Sequence, residues 1–293
     1  MNDEREEKIL KIAFWSNTRK SSCVTTNLTC ISALTAIAGV GKTVLLENHY
    51  NLNSIGDLIL EQEKLNHLRE HGEYYSRYGI EYILKRLYSG ESGEKLIHQA
   101  AIPLLYSQML YVPQGRIVNK DVFNYEFHLV QRELFRSLDL LSDYIFIDTE
   151  SNQNLSTATI LAEADLVVVN LDQNPVHLQE YFENYASLHE KAVYLIGGYC
   201  AKKTWNQRKI CYEYHIPREK IGCIPYNLDL AEAMMDGHLL QFLNRNYAKP
   251  IGEDNKYFMQ NLKKASEMIR KNMLAVKRKK RITFSDEIVH GSD

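Results

Sequence analysis

A loop rich in cations and hydroxyl groups lies between the first apolar run of this chain and its first helix-length segment. It reads RKSSCVTT, from Arg19 to Thr26. A loop that follows a strand and opens a helix presents backbone amides to an anion, and the helix N-terminus adds positive potential. Arg19 and Lys20 supply further positive charge, so the loop is a candidate anion site that opens onto Thr25 and Thr26.

Two acids follow later apolar runs. Glu47 follows TVLL at Thr43–Leu46, and Asp148 follows YIFI at Tyr144–Ile147. Open α/β sheets bind their ligands at the carboxyl ends of the strands. We therefore expect the loop, Glu47 and Asp148 to meet at one edge of a sheet.

Two further patterns imitate functional motifs. Gly39–Thr43 contains the GKT of a phosphate loop, but a helical pattern precedes it and an apolar run follows, the reverse of the required order. His67–His71 (HLREH) has the spacing of an inverted zinc-protease motif, yet the helical pattern ends at Gly72. We interpret the first as a turn and the second as a solvated helix end, and we assign no metal beyond Mg²⁺.

Short apolar runs alternate with helix-length segments along most of the chain. The runs have strand length, and most are rich in β-branched or aromatic residues. This alternation predicts an α/β fold, a mainly parallel doubly wound sheet with helices on both faces. The predicted strands are Leu10–Trp15, Thr43–Leu46, Met109–Val112, Tyr144–Ile147, Leu166–Val169, Val193–Ile196 and Ile221–Ile224; the predicted helices are Thr25–Ala38, Ser54–His71, Gly79–Tyr88, Val122–Leu140, Ser156–Ala164, Pro175–Leu188 and Lys203–Tyr214.

The composition is that of an ordinary globular protein. Of 293 residues 45% are apolar and 25% charged, and the net charge is −2. Such a charge excludes a global field that would drive the whole chain onto nucleic acid or membrane. Five cysteines without a CxxC pair suit a reducing compartment, and the acidic start (MNDEREEK) is unlike a signal peptide. We expect a cytoplasmic protein, either free or peripheral to a membrane.

The order of these motifs resembles the ParA/MinD superfamily of P-loop ATPases. The loop stands where that family has KGGxGK[ST]T, and DYIFIDTE at Asp143–Glu150 resembles its Walker B segment. VLLENH at Val44–His49 resembles the second-strand motif, with Glu47 near its first acid and His49 near its second. IGCIPYN at Ile221–Asn227 resembles the segment beside the adenine, which implies a role for Pro225 and Asn227. The resemblance covers roughly residues 8–245, and the CpaE/TadZ-like proteins are the branch most similar in character.

The loop departs from the family pattern at the residues that hold phosphate. Aligned on Thr25-Thr26, Val24 replaces the phosphate-binding lysine and Arg19 the signature lysine; Lys20, Ser21 and Cys23 replace the three glycines. A shifted alignment places Ser21 at the lysine position instead. The resemblance implies that Thr25 and Asp148 would hold Mg²⁺ and that Asp148 is the catalytic acid. Without lysine and glycines, transition-state charge is poorly stabilised and close approach to phosphate is lost.

Three functions remain open at this point. The first is a degenerate nucleotide-binding protein or pseudo-ATPase, an inactive or very weak ATPase that positions a larger assembly such as pilus or secretion machinery. It would act through a homodimer and protein partners, and ATP and Mg²⁺ are the ligands that the resemblance implies. The second is an active ParA-type ATPase in DNA partitioning, and the third is a MinD-like factor at a membrane surface.

The C-terminal part of the chain has its own pattern. We place the family-like domain at residues 1–250, a C-terminal helix at 251–277 and a basic-then-acidic tail at 278–293. The helical pattern Glu253–Val276 carries an apolar stripe, and five cations follow it. The helix either packs on the flank of the domain or exposes its stripe to an anionic membrane; nucleic acid would attract the same cations. The five cations are Lys277, Arg278, Lys279, Lys280 and Arg281.

Overall fold

A computed structural model describes residues 9–49, 54–61, 63–66, 78–91, 93–114, 117, 119–151 and 154–290, with only the backbone described from 281 onward. Its centre is an eight-stranded sheet in the order β3-β4-β2-β5-β1-β6-β7-β8. All neighbours pair in parallel except β3, which is antiparallel to β4. The strands are β1 (Leu10–Trp15), β2 (Thr43–Asn48), β3 (Ile102–Leu104), β4 (Met109–Val112), β5 (Tyr144–Thr149), β6 (Leu166–Leu171), β7 (Ala192–Tyr199) and β8 (Ile221–Pro225).

Helices cover both faces of this sheet, so the predicted α/β architecture is confirmed. The central strands are buried along their whole length, as their nearly continuous apolar sequences require. The helices are α1 (Val24–Ile37), α2 (Ile55–Ile59), α3 (Gly79–Tyr88), α4 (Glu94–Ala100), α5 (Lys120–Asp139), α6 (Leu155–Glu163), α7 (Pro175–Asn184), α8 (Gln207–Glu213), α9 (Leu228–Met235), α10 (Leu239–Ala248) and α11 (Glu253–His290), with 3₁₀ turns at Ala186–Lys191 and Arg218–Lys220.

Asparagine starts several of these helices. The side chain of the residue before α6, α7 and α9 accepts a hydrogen bond from a backbone amide in the first turn: Asn154 from Thr157, Asn174 from Val176, and Asn227 from Leu230. Such caps satisfy amides that have no partner inside the helix. Local sequence therefore determines these helix starts.

Two segments differ from the sequence-based prediction. The helix predicted at Ser54–His71 is interrupted, because α2 ends at Ile59 and Leu60 is extended. A β-carbon on Gly237 would overlap the Leu60 carbonyl, so the turn after α9 packs directly on this break. Strand β3 was not predicted; it is three residues long, contains Pro103 and lies at the sheet edge, where proline is tolerated.

Helix α11 belongs to the core of the domain. Its stripe is almost fully buried: Phe258 and Leu262 are 0% exposed and Ile269 is 1% exposed. The prediction that the helix packs on the flank is therefore confirmed, and the reading that this stripe is exposed for lipid is wrong. The helix also continues to His290, beyond the predicted end at 277, because no glycine or proline interrupts it before Gly291.

Candidate functional site

The predicted acids lie side by side at the carboxyl edge of the sheet. In the parallel pairing of β2 with β5, Glu47 is in register with Asp148. Both are buried, with exposures of 1% and 0%. Strand β1 pairs with β5 on its other side, so the loop after β1 emerges next to the same two acids. The topology thus brings together the three parts that the sequence places far apart.

Arg19 connects the loop to this acidic edge. Its Nη1 lies 2.7 Å from Asp148 Oδ1 and also donates a 2.7 Å hydrogen bond to the Thr149 carbonyl. Its Nη2 donates to Thr25 Oγ1 at 2.9 Å. The Arg19 side chain is only 8% exposed. One guanidinium therefore holds the first turn of α1 and the end of β5 together.

The loop keeps a backbone conformation that suits glycine. Cys23 has φ 57°, in the left-handed region that L-residues rarely adopt. It stands at one of the glycine positions of the related loops. Strand β7 packs beneath it, since a β-carbon on Gly197 would overlap the Ser22 carbonyl oxygen. Contact with β7 thus stabilises the loop conformation, which glycines within the loop would otherwise allow.

The other loop residues do not converge on one point. Val24 is 1% exposed, and its side chain packs in the hydrophobic core. It therefore cannot contact a phosphate as a lysine at that position would. Lys20, Ser21 and Cys23 are exposed, and Thr26 is half-buried. Of the predicted loop residues, only Arg19 and Thr25 have described contacts that link them, through the guanidinium, to Asp148.

Asn227 has a structural role. Its Oδ1 accepts from the Leu230 amide at 2.7 Å, and its Nδ2 donates to Asn255 Oδ1 at 2.8 Å. Pro225 ends β8 and is buried. Among the described contacts, none joins either residue to Arg19, Thr25 or Asp148.

His49 lies between the two acids, and sequence reasoning did not place it in the site. Its Nε2 is 3.5 Å from Glu47 Oε1 and 3.4 Å from Asp148 Oδ2. One ligand atom from each of the three residues lies within 4.8 Å of the others, and all three side chains are buried. The signal in the sequence was its position near the second acid of the β2 motif, two residues after Glu47.

The buried charges shift one another's titration. Burial lowers the pKa of His49, but the neighbouring Asp148 and Glu47 carboxylates outweigh burial and raise the pKa to about 9. Burial raises the pKa of Asp148, but Arg19 and His49 outweigh it and hold the pKa well below its usual range. Burial and the Glu47 carboxylate raise the pKa of Tyr111. At neutral pH the site therefore contains two cations, Arg19 and His49, next to the carboxylates of Asp148 and Glu47.

Glu47 is held by donors that sequence reasoning also missed. Its Oε2 accepts from the Tyr111 hydroxyl at 2.9 Å and from the Gln114 amide at 3.2 Å. Its Oε1 accepts from the Ile55 amide at the start of α2. Three donors from two chain segments thus fix the orientation of this carboxylate.

The residues in this arrangement do not fit a magnesium nucleotide. The two groups that would hold the ion, Thr25 Oγ1 and Asp148, are both engaged by the Arg19 guanidinium. A divalent cation beside Thr25 would have to share that space with a positive charge. In the alignment on Thr25-Thr26, Val24 stands at the position of the lysine that would neutralise the β- and γ-phosphates. Binding of Mg²⁺ and ATP at these residues therefore requires Arg19 to leave.

The GKT turn and the cationic run lie apart from this edge. Gly39 to Lys42 form the turn between α1 and β2, as predicted, at the opposite edge of the sheet. His67–His71 falls outside the described residues.

The cations of the C-terminal run have different surroundings. Lys277 Nζ lies 4.4 Å from the ring centroid of Tyr144, and Lys280 pairs with Asp165 at 2.6 Å. Arg278 and Lys279 are exposed, and the Arg281 side chain is not among those described. None of the helices in the described part of the chain has a stretch long and apolar enough to cross a membrane.

Sequence comparison finds no match to a known family model and none to a curated protein. Structural comparison does. A ParA family ATPase from Chlorobium tepidum TLS aligns over 87% of this chain and 98% of its own, with a TM-score of 0.64 and 11% identity. A putative plasmid partition protein from Borrelia burgdorferi B31, bound to AMPPNP, aligns over 89% and 99%, with a TM-score of 0.59 and 14% identity. The septum site-determining protein MinD from Pyrococcus horikoshii OT3, complexed with Mg-ADP, aligns over 92% and 99%, with a TM-score of 0.57 and 14% identity.

These structures establish that the chain has the α/β fold of the ParA/MinD P-loop ATPases, as its motifs predicted. The fold extends over nearly the full length of each of the three proteins. At 11–14% identity the fold alone is shared, and the chemistry must be argued from this chain's own residues.

Proposed function

We propose that this chain is a pseudo-ATPase of ParA/MinD fold, a scaffold that positions a larger cellular assembly such as pilus or secretion machinery. The observation that carries the proposal is the position of the Arg19 guanidinium between Thr25 Oγ1 and Asp148 Oδ1. In an ATPase of this fold these two groups serve the magnesium ion. Here the protein's own cation takes that place.

The electrostatics support a closed site. An arginine beside a buried carboxylate supplies, at Asp148 Oδ1, the positive charge that the magnesium ion of a nucleotide complex would otherwise supply, so magnesium gains little by entering there. The loop offers Val24 where a lysine would stabilise the transition state, and a missing charge of this kind costs a reaction several kcal/mol. Both changes disfavour nucleotide binding and disfavour hydrolysis more strongly.

The scaffold would act through protein contacts. The resemblance to ParA/MinD proteins supports a homodimer and partners that belong to a localised assembly. Without a nucleotide switch, its attachment to that assembly would be constitutive. An active ATPase in DNA partitioning and a MinD-like membrane-surface factor are the competing functions, and the burial of the α11 stripe removes the apolar surface that the second of these would need on this helix.

Calorimetric titration with ATP and Mg²⁺, together with a phosphate-release assay, tests the proposal. We expect no saturable binding at physiological nucleotide concentration and turnover at background. Turnover of about 1 per minute or faster, abolished by Asp148→Ala, would overturn it. Lys20→Ala is the control variant. Lys20 is exposed and adjacent to Arg19, so this substitution removes one loop cation and leaves Arg19 in place.

The positioning role has its own test. A fluorescently tagged chain should form discrete foci in the cells that produce it, and those foci should persist in Thr25→Ala, which would remove the magnesium-binding hydroxyl of a working ATPase. Diffuse signal for the parent chain, or foci that Thr25→Ala disperses, would contradict a nucleotide-independent scaffold.

A further inference from the structure

Glu47, His49 and Asp148 each offer one ligand atom within 4.8 Å of the others, close enough to share a metal ion. The distances from His49 Nε2 to Glu47 Oε1 and Asp148 Oδ2 are 3.5 and 3.4 Å. These are longer than a good hydrogen bond between charged groups. Zinc bound by nitrogen and oxygen at 2.0–2.2 Å in a tetrahedron separates its ligand atoms by about 3.3–3.6 Å.

The Asp148 carboxylate provides a second observation. It is 0% exposed, and its Oδ2 accepts no hydrogen bond of good geometry from the described residues. Arg19 approaches Oδ1, while Oδ2 faces His49. A buried carboxylate oxygen aimed at an imidazole nitrogen at this separation leaves its lone pairs directed into the space between them.

Each carboxylate is also oriented from outside the cluster. Tyr111, the Gln114 amide and the Ile55 amide hold Glu47, and the Arg19 guanidinium holds Asp148 on the side away from His49. Metal ligands in proteins are characteristically fixed by such outer partners, which orient them before the ion arrives. The strand register adds to this, because Glu47 and Asp148 are direct neighbours on β2 and β5.

From this geometry we infer that Glu47 Oε1, His49 Nε2 and Asp148 Oδ2 bind one divalent transition-metal ion of the zinc type, which displaces the Nε2 proton of His49 into solvent as it binds. One imidazole and two carboxylates suit zinc and cobalt better than magnesium, which prefers oxygen ligands in an octahedron. Three protein ligands leave a fourth position for water. This site shares Asp148 with the magnesium site of an ATPase, but it requires no nucleotide and takes no ligand from Thr25 or the loop.

Titration of the full chain with Co²⁺, after treatment with a chelator, tests the inference, with Zn²⁺ as competitor. We expect one equivalent of Co²⁺ to produce visible absorption bands of a low-coordinate site, and Zn²⁺ to abolish them. His49→Ala and Glu47→Gln should each remove the bands. His177→Ala is the control, since His177 also pairs with an aspartate, Asp172 at 2.6 Å, but lies outside the cluster.

A second variant guards against loss of fold. Tyr111→Phe removes one hydrogen bond to Glu47 and no ligand, so we expect Co²⁺ affinity to fall by about 10- to 100-fold while the absorption spectrum is retained at saturation. The exposed cysteines Cys23 and Cys200 could bind metal on their own, so the titration is repeated with both changed to serine.

Several outcomes would overturn the inference. The wild-type chain could bind neither ion at micromolar concentration, which would leave His49 as an imidazolium between two carboxylates. Binding could survive in folded His49→Ala and Glu47→Gln, or could disappear with the two serine substitutions. None of these results bears on ATP turnover, so failure of the metal site and failure of the proposed function are distinguishable.

Discussion

The Nη1 atom of Arg19 lies 2.7 Å from Asp148 Oδ1, and the two side chains are 8% and 0% exposed. This buried ion pair links a loop after β1 to the end of β5, and the Arg19 hydrogen bond to Thr25 extends the link to α1. It is the contact on which the stability of the site and its proposed closure to magnesium both depend.

Removal of Arg19 should destabilise the fold. Arg19→Met leaves Asp148 buried without its guanidinium, and loss of one partner of a buried pair costs about 3–5 kcal/mol. Equilibrium unfolding in urea measures the change. Lys20→Met, at an exposed neighbouring position, should change the free energy of unfolding by less than about 0.5 kcal/mol. Equal effects of the two substitutions would show that the ion pair contributes nothing specific.

The same residue should control access of magnesium nucleotide. Arg19→Ala frees Thr25 Oγ1 and Asp148 Oδ1, so we expect Mg²⁺-dependent binding of a nucleotide to become measurable where the parent chain shows none. Calorimetry with AMPPNP and Mg²⁺, at a temperature where the variant is folded, checks this. An affinity that does not differ from that of the parent chain would mean that Arg19 does not block the site.

Stability of the metal-free chain should depend on pH on both sides of a plateau. The pKa of His49 is raised to about 9 in the folded state from about 6.5 unfolded, so its contribution is complete below pH ~6.5 and is lost as pH rises through 9. The pKa of Asp148 is lowered, so its contribution is present above about pH 4 and is lost as pH falls further. The free energy of unfolding should therefore be greatest between these limits.

The variant His49→Gln separates the two limbs of this profile. It removes the group that titrates at alkaline pH. The free energy of unfolding of the chelator-treated variant should therefore lose most of its dependence on pH in the alkaline range and keep its dependence in the acidic range. An alkaline limb that is unchanged in His49→Gln would assign that limb to other groups.

Helix α11 should behave as part of the core. Ile269→Glu places a charge where the parent side chain is 1% exposed, and an unpaired buried charge should cost at least about 3 kcal/mol. Leu274→Glu, on the same helix but 36% exposed, should cost less than about 0.5 kcal/mol. Thermal unfolding of both variants measures the difference. A folded Ile269→Glu variant that only loses liposome binding would restore the membrane reading.

The sequence by itself determined the class of fold and the identity of the acidic edge. Short apolar runs cannot bury themselves except as strands, and their alternation with helical segments leaves few topologies other than a parallel sheet. Because the carboxyl ends of parallel strands share one edge, the positions of Glu47 and Asp148 at the carboxyl ends of β2 and β5 sufficed to place them together. The substitution at the phosphate-binding position was also predicted from the sequence, since the alignment on Thr25-Thr26 places Val24 where the family has a lysine.

Only the tertiary structure decided which contacts these residues make. Contacts between Arg19 and Asp148, and between His49 and both acids, join segments far apart in the chain, and side-chain direction depends on packing that no local pattern encodes. The helix α2 ends where the turn at Gly237 packs on Leu60, and the α11 stripe is buried because α1 and β8 cover it. The periodicity of a sequence predicts that one face of a helix is apolar. Which surface covers that face depends on how the other elements of the chain pack.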